Sequence, residues 1–463
     1  ETAQALSGLA ALLSARGYAL QERGEIAAAI ECYEEALALE PSLAQAHNNL
    51  GNAYKACGRQ QDAVASYRDA VAADPTLAEA HLNLGIALYE AGRLGEAAQN
   101  YRAARELKPA LAEASLNLGF LLEQEGDARG AREAYRAAIA ARPDFAEAHF
   151  NHALQLLQAG EFEAGWEEYE WRLKLPELAP FWPYAGRQRW NGEELRGRRI
   201  LLYAEQGFGD AIQFVRYAPL VAARGGEAIV SCPPKLLRLF RTLSGVSATH
   251  DAQEPPPDFD LCCSLLSLPR LFHSTLDTIP VPVPYLHARA EDAARWQSKL
   301  AALGPGLKVG LYWSTDSKNR ITPLKSLELE TLAALAGVPG VAFVSLQRGA
   351  AAAQAARPPQ GMKLIDASAE LRDFADDAAL IANLDLVISI DTATAHLAGA
   401  LGRPVWTLVH FPAEWRWLAG REDSPWYPTM RLFLRRRSES WHDVAGRVRL
   451  ALQALQQTNP GRE

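Results

Sequence analysis

AHNNLGNAYKACGRQQDAVASYRDAVAADPTLAE (residues 46–79) is followed directly by AHLNLGIALYEAGRLGEAAQNYRAARELKPALAE (residues 80–113), and the second stretch repeats the first with a step of 34 residues. On either side of this pair, Tyr33, Tyr67, Tyr101, Tyr135 and Tyr169 keep that step, as do Gly24, Gly58, Gly92, Gly126 and Gly160. Ala29, Ala63, Ala97 and Ala131 form a third column, and Pro41, Pro75, Pro109 and Pro143 a fourth. A glycine per unit permits a tight turn between two helices, a small alanine lets helices approach, a tyrosine fills the space between them and a proline opens the next unit. The first third of the chain is therefore read as a stack of helical hairpins, about five units over residues 10–176.

The columns resemble the tetratricopeptide repeat, including its Leu-Gly pairs at Leu50-Gly51, Leu84-Gly85 and Leu118-Gly119. The last unit departs from the pattern, with Gly165 in the alanine column and Pro176 one residue early, and is read as a cap adapting the array to the next domain. Asn49, Asn83, Asn117 and Asn151 also recur at the same step, although a helix interior disfavours asparagine. In the family this position faces the concave groove. A ladder of carboxamides, each offering donor and acceptor, suits the backbone of an extended peptide and resembles that of repeat-bearing protein O-GlcNAc transferases. Glu79, Glu113 and Glu147 share the face and predict an acidic groove. The competing reading gives the asparagines to bonds between neighbouring repeats.

The whole chain, at 463 residues, is too long for one core and predicts several domains. A net charge of −8 with dispersed Lys and Arg supplies no cationic field for a polyanion, so nucleic acid is not an expected partner. Charges interrupt every apolar stretch before the roughly 18 residues of a membrane span. Cys32, Cys57, Cys232, Cys262 and Cys263 have no CxxC spacing and read as thiols of a reducing compartment, the cytoplasm. The sequence starts at Glu1 without methionine, so whether the natural N-terminus is longer stays open.

Between residues 177 and 197 proline and tryptophan punctuate the chain (Pro180, Pro183, Trp182, Trp190), as at a packed domain junction. Beyond it, short apolar runs alternate with helical segments, predicting parallel sheets. Strands are expected at Arg199 to Tyr203, Ala228 to Cys232 and Leu261 to Ser264, with a helix over 211–223. After the proline-rich Ile279 to Pro284 a second set comes at Val309 to Trp313, Ala342 to Leu346, Leu364 to Asp366, Leu386 to Ile390 and Val405 to Val409. The fold class is thus a helical repeat superhelix (1–176) followed by two Rossmann-like α/β lobes (198–290 and 291–463), with ligands expected at the carboxyl ends of the strands.

Two strand ends carry candidate chemistry. The first lobe's opening strand empties into Glu205-Gln206-Gly207-Phe208-Gly209-Asp210, where Gly207 and Gly209 allow a sharp turn and Asp210 reaches a helix N-terminus. A carboxylate there suits a general base, although Asp is equally a common helix cap. In the second lobe a buried strand runs into Asp391-Thr392-Ala393-Thr394-Ala395-His396. The N–H groups and hydroxyls of residues 392–394 suit a diphosphate, Asp391 suits sugar hydroxyls and His396 suits a leaving phosphate, whereas a packed core histidine is the plain alternative. Lys318 and Arg320 offer cations for a diphosphate, and Gln347 and Arg348 come after a strand end where a nucleotide base would sit. Asp258-Phe259-Asp260 is read as a strand entry. No His/Cys/Asp/Glu cluster has metal-ligand spacing, so neither metal nor cofactor is expected. Trp406, Trp415, Trp417 and Trp426 are assigned to packing between the lobes, with stacking on a sugar or base as the alternative.

These segments resemble the heptosyltransferase-like glycosyltransferases, which have the two-lobed B-type glycosyltransferase fold. The resemblance covers residues 198–450. It implies Asp210 as base and Asp391, Thr392 and His396 as donor contacts, without metal. Joined to repeats, the chain looks most like bacterial tetratricopeptide-repeat glycosyltransferases, a group that includes flagellin-modifying enzymes, on Ala204 to Phe214 and on Arg421-Glu422-Asp423-Ser424-Pro425-Trp426-Tyr427-Pro428. The loop Ser314 to Arg320 departs from that family's Gly-Asn-rich form. The expected function is inverting transfer of a sugar from a nucleotide-sugar donor to a Ser or Thr hydroxyl of a protein acceptor, such as flagellin, held by the repeats. A glycolipid transferase and an inactive scaffold are the alternatives, and the donor nucleotide (ADP, UDP, GDP or CMP) stays open.

Overall fold

The computed structural model describes residues 2–182, 184, 186–280, 283–316 and 322–458. The chain divides into two compact units, Glu1–Gln155 and Leu156–Glu463.

The first unit is the repeat array. Helices pair as α1 (Thr2–Glu22) with α2 (Ile26–Leu39), α3 (Ala44–Ala56) with α4 (Gln60–Ala73), α5 (Ala78–Glu90) with α6 (Leu94–Leu107) and α7 (Ala112–Glu125) with α8 (Ala128–Ala141). The 34-residue columns have concrete causes. Gly24, Gly58, Gly92 and Gly126 turn the chain at φ +79°, +74°, +74° and +81°, a region that a side chain resists. The Leu-Gly glycine makes room for the next helix's tyrosine: a Cβ on Gly51 would lie 2.5 Å from Tyr67 Cε1, and Gly85 and Gly119 stand in the same relation to Tyr101 and Tyr135. Ala29, Ala63, Ala97 and Ala131 are fully buried at these contacts.

Helix α9 (Ala146–Gln158) crosses the division, and α10 (Phe162–Tyr169) lies in the second unit. The break therefore falls inside the fifth repeat. The departure at Gly165 has a steric reason, since a Cβ there would meet Leu157 Cδ2 at 2.7 Å. Phe162, Trp166 and Tyr169 of α10 pack instead into an aromatic cluster with Phe214, Trp415 and Trp426.

The rest of the second unit comprises, in chain order, β1 (Arg199–Tyr203), α11 (Phe208–Phe214), α12 (Ala218–Ala222), β2 (Glu227–Cys232), α13 (Pro234–Phe240), β3 (Ala248–Asp251), β4 (Leu261–Ser264) and α14 (Leu268–Leu271). Then come α15 (Ala290–Ala301), β5 (Leu307–Tyr312), α16 (Thr322–Lys325), β6 (Val341–Ser345), β7 (Leu364–Asp366), α17 (Phe374–Ile381), β8 (Leu386–Ile390), α18 (Ala393–Ala400), β9 (Val405–Val409), β10 (Met430–Leu434) and α19 (Trp441–Thr458). The strands form two sheets, ordered β3-β2-β1-β4 and β10-β9-β8-β5-β6-β7, and every pairing is parallel. Taken from β7, the larger sheet has the order of a doubly wound dinucleotide-type sheet, with the order of strand addition reversing between β5 and β8. The strands are apolar nearly throughout because helices cover both faces, as α19 does with Val444, Val448 and Leu452. The helix expected over 211–223 is broken into α11, a 3₁₀ turn and α12, with Pro219 seated in the first turn of the new helix. The 177–197 junction is packed: Trp190 is buried and its backbone N–H donates to the Cys262 carbonyl on the edge of β4.

Candidate active site

The two strand-end motifs meet. The turn after β1 places Gly207 at the N-cap of α11 and Asp210 in its first turn. A Cβ on Gly209 would lie 2.9 Å from His396 Cδ2 and 3.7 Å from Ala393 Cα, so glycine is what allows α11 to approach the start of α18. Thr392 caps α18 in extended conformation, its hydroxyl near that of Ser389 and near the Ile390 carbonyl, while Thr394 is buried. Asp391, Thr392, Ala393 and His396 are thereby gathered at the end of β8, facing the Gly207–Asp210 turn.

Asp210 is not the N-cap. Its Oδ2 accepts the Gly207 N–H at 2.9 Å, and its Oδ1 pairs with Arg416. Arg416 lies in the segment after β9, is 5 % exposed, and has all its faces engaged. Its Nε donates to Gln213 Oε1 (3.1 Å), its terminal nitrogens pair with Asp210 and Glu414, and its plane lies over the Trp415 ring. His396 is buried, hydrogen-bonded through Nδ1 to the Tyr427 hydroxyl at 3.0 Å and stacked on Trp417. Burial pushes its pKa down to about 4, so the imidazole is neutral near pH 7. Asp391 is buried as well, yet Lys325, His396 and Arg416 together outweigh the desolvation and keep it below the usual carboxylate range. Glu414 goes the other way: burial, with Asp391 and Asp210 nearby, pushes it up to about 7 against the pull of Arg416.

Other expected contacts are placed differently. Gln347 is fully buried, and its carboxamide accepts from the N–H groups of Trp313 and Ser314 while donating to the carbonyls of Ser314 and Arg348. With its hydrogen bonds spent on the backbone after β5, it shapes that loop and has nothing left for a nucleotide. Arg348 is committed to Asp377 and the Asp373 carbonyl. Lys318 and Arg320 lie outside the described residues. Asp260 accepts the Arg199 N–H at 2.7 Å, as a strand entry does, and among the described residues no group of three or more His, Cys, Asp or Glu is arranged to hold a metal. Glu414, Arg416, Lys325 and Tyr427 were not singled out as site residues from the sequence. The signal present was Glu414-Trp415-Arg416-Trp417, two charges interleaved with large aromatics just past a buried strand.

In the repeat unit the asparagine column is half-buried and unevenly engaged. Asn83 donates to Asn48 Oδ1 at 2.9 Å and Asn49 accepts from Gln45, whereas Asn117 and Asn151 make no side-chain hydrogen bond among the described residues. Glu79 and Glu113 are paired with Lys108 and Arg142, so the expected acidic groove is neutralised at these two positions.

Comparison with known proteins finds relatives of both parts of the chain. Residues 17–58, 51–92 and 87–126 match a TPR repeat family and residues 116–170 a tetratricopeptide repeat family. Residues 347–421 match glycosyltransferase family 9 (heptosyltransferase), a segment that contains Asp391, His396, Glu414 and Arg416 but not Asp210. Protein FlbA of Caulobacter vibrioides is 33 % identical over 315 residues, 62 % of this chain, and the chain spans 52 % of that protein's length. Among solved structures, MamA is 26 % identical with a TM-score of 0.32, over 34 % of this chain and 92 % of its own. The Pseudomonas aeruginosa pilF structure is 23 % identical with a TM-score of 0.35, over 38 % and 78 %. No described helix is long and apolar enough to cross a membrane. The chain thus joins segments that match tetratricopeptide repeats to a segment that matches glycosyltransferase family 9 (heptosyltransferase).

Proposed function

We propose that the protein transfers a sugar from a nucleotide-sugar donor to a hydroxyl of a protein acceptor, using a B-type arrangement of two α/β lobes, while the repeats hold the acceptor chain. The observation that carries this reading is the packing of the Gly207–Asp210 turn of one parallel sheet against the Asp391–His396 segment of the other. Each segment lies past the carboxyl end of a strand, where doubly wound sheets bind ligands. In this reading Asp391, ionised and buried, accepts hydrogen bonds from donor hydroxyls. Lys325 and the N-terminal turn of α18 meet the charge that develops on the departing phosphate. Asp210 stands beside the incoming hydroxyl as base, and direct displacement inverts the anomeric centre. The neutral His396 donates a hydrogen bond and carries no charge. With charge neutralisation assigned to side chains, transfer is expected to survive EDTA undiminished. The five cysteines are free, and we assign the reaction to the cytoplasm, where thiols stay reduced.

The half-buried amides of Asn117 and Asn151 support the peptide groove, because each leaves its donor and acceptor capacity open. The test is transfer to a protein acceptor, with flagellin among those assayed, product configuration being read by NMR. Substituting Asn83, Asn117 and Asn151 together by Ala is expected to raise KM for the protein acceptor about 10-fold or more, as several hydrogen bonds are lost, with donor hydrolysis unchanged. Equal loss of both activities overturns the groove assignment, and retention of configuration overturns direct displacement.

A further inference from the structure

Arg416 pairs with two carboxylates at once, Asp210 from the turn after β1 and Glu414 from the segment after β9. The two acids are not equally engaged. Asp210 spends one oxygen on the Gly207 N–H and the other on Arg416, and its side chain is 16 % exposed. Glu414 spends only Oε1 on Arg416, its Oε2 makes no hydrogen bond among the described residues, and 30 % of its side chain remains exposed. The group best placed to receive a proton from outside is therefore the one with the open oxygen.

We propose that Asp210 and Glu414 act as one base bridged by Arg416, and that Glu414 Oε2 takes the proton of the acceptor hydroxyl while Asp210 holds the guanidinium in place. The inference rests on the transfer reading above and deepens it, moving the proton-accepting oxygen from Asp210 to its partner Glu414. In the step, the acceptor O–H bond breaks and an O–H bond to Glu414 forms. The acceptor oxygen's electron pair makes the bond to the anomeric carbon, and the pair of the breaking carbon–oxygen bond leaves with the phosphate. Arg416 stays protonated throughout and remains paired with Asp210 after Glu414 is neutralised, so no buried cation is stranded. The groups facing Glu414 are Arg416, Asp391, Asp210 and Lys325. The two acids and burial raise its pKa to about 7 despite the two cations, which suits a base working near neutrality. Glu414 accepts a proton only when ionised, so turnover rises with pH through about 7 and falls below it.

The experiment tracks the pH profile of nucleotide-sugar turnover by the full chain, with water as acceptor, using ADP-, UDP-, GDP- and CMP-sugars, alongside calorimetric binding of the same compounds. Glu414→Gln is expected to lower kcat roughly 100-fold, to remove the limb near pH 7 and to leave donor affinity unchanged. Asp210→Asn removes a neighbouring negative charge and is expected to move that limb to lower pH. An unaltered limb in E414Q, or a loss carried by donor affinity alone, overturns the proposal. If the sugars bind but none is turned over, the transfer reading fails by itself. Infrared titration of the carboxyl band then decides the pairing: a band near pH 7 absent in E414Q and shifted down in D210N supports it, and a band unaffected by both substitutions overturns it.

Discussion

At the residue scale, His396 shows how a single environment fixes a role. Its ring is closed in by Trp417, Tyr427 and the approach of Gly209, and desolvation takes its pKa from 6.5 to about 4. The unfolded chain therefore binds a proton between those values that the folded chain refuses. Stability is full above about pH 6.5 and is lost as pH falls towards 4, by up to about 3 kcal/mol if this group acted alone. Urea unfolding of the wild type and of His396→Phe between pH 4 and 7 checks this: the variant is expected to show a shallower loss, and identical slopes would show that His396 titrates normally. The sequence made Asp391, Thr392 and His396 legible because they sit in one continuous strand-to-helix segment. It concealed the partners of Asp210, since Arg416 is 206 residues away and only the tertiary packing of α11 against the segment after β9 joins them.

At the scale of elements, the repeats were legible because each column answers a local steric demand. Gly51 is the clearest case: the tyrosine ring of the following helix occupies the space where its Cβ would be. Gly51→Ala is expected to destabilise the array by roughly 1–3 kcal/mol through overpacking, and Tyr67→Leu in the same chain is expected to recover part of it. Thermal unfolding monitored by circular dichroism reads both, and an additive loss in the double variant would deny the contact. Central strands were legible as short apolar runs. Two strands were not: β3 is a polar, half-exposed edge, Ala248-Thr249-His250-Asp251, and β10 begins at Met430 just after the turn-rich Ser424 to Thr429. Neither carries the continuous apolar signal of a strand covered on both faces. The expected helix over 211–223 failed where Pro219 stands, because a proline accepts the first turn of a helix more readily than its interior.

At the scale of the whole molecule, the order of parts along the chain was readable. The fifth repeat keeps the tyrosine and glycine columns, so sequence periodicity carries the array to residue 176. Its second helix, however, buries Phe162, Trp166 and Tyr169 against Phe214, Trp415 and Trp426, contacts that a 34-residue pattern cannot encode. The same aromatic cluster borders the Glu414–Trp417 segment, which ties the cap of the array to the segment that holds Arg416. With Gln347 spent on the backbone, Asp391 and the start of α18 are left as the core of the proposed donor site. Calorimetric titration of the full chain with ADP-, UDP-, GDP- and CMP-sugars, repeated with Asp391→Asn after its fold has been verified by circular dichroism, puts that site to the test. One nucleotide class is expected to bind saturably, with affinity weakened at least 10-fold in the variant by loss of a charged hydrogen-bond acceptor; no binding of any nucleotide sugar to the folded chain, or equal affinity in D391N, would contradict a donor site built on Asp391.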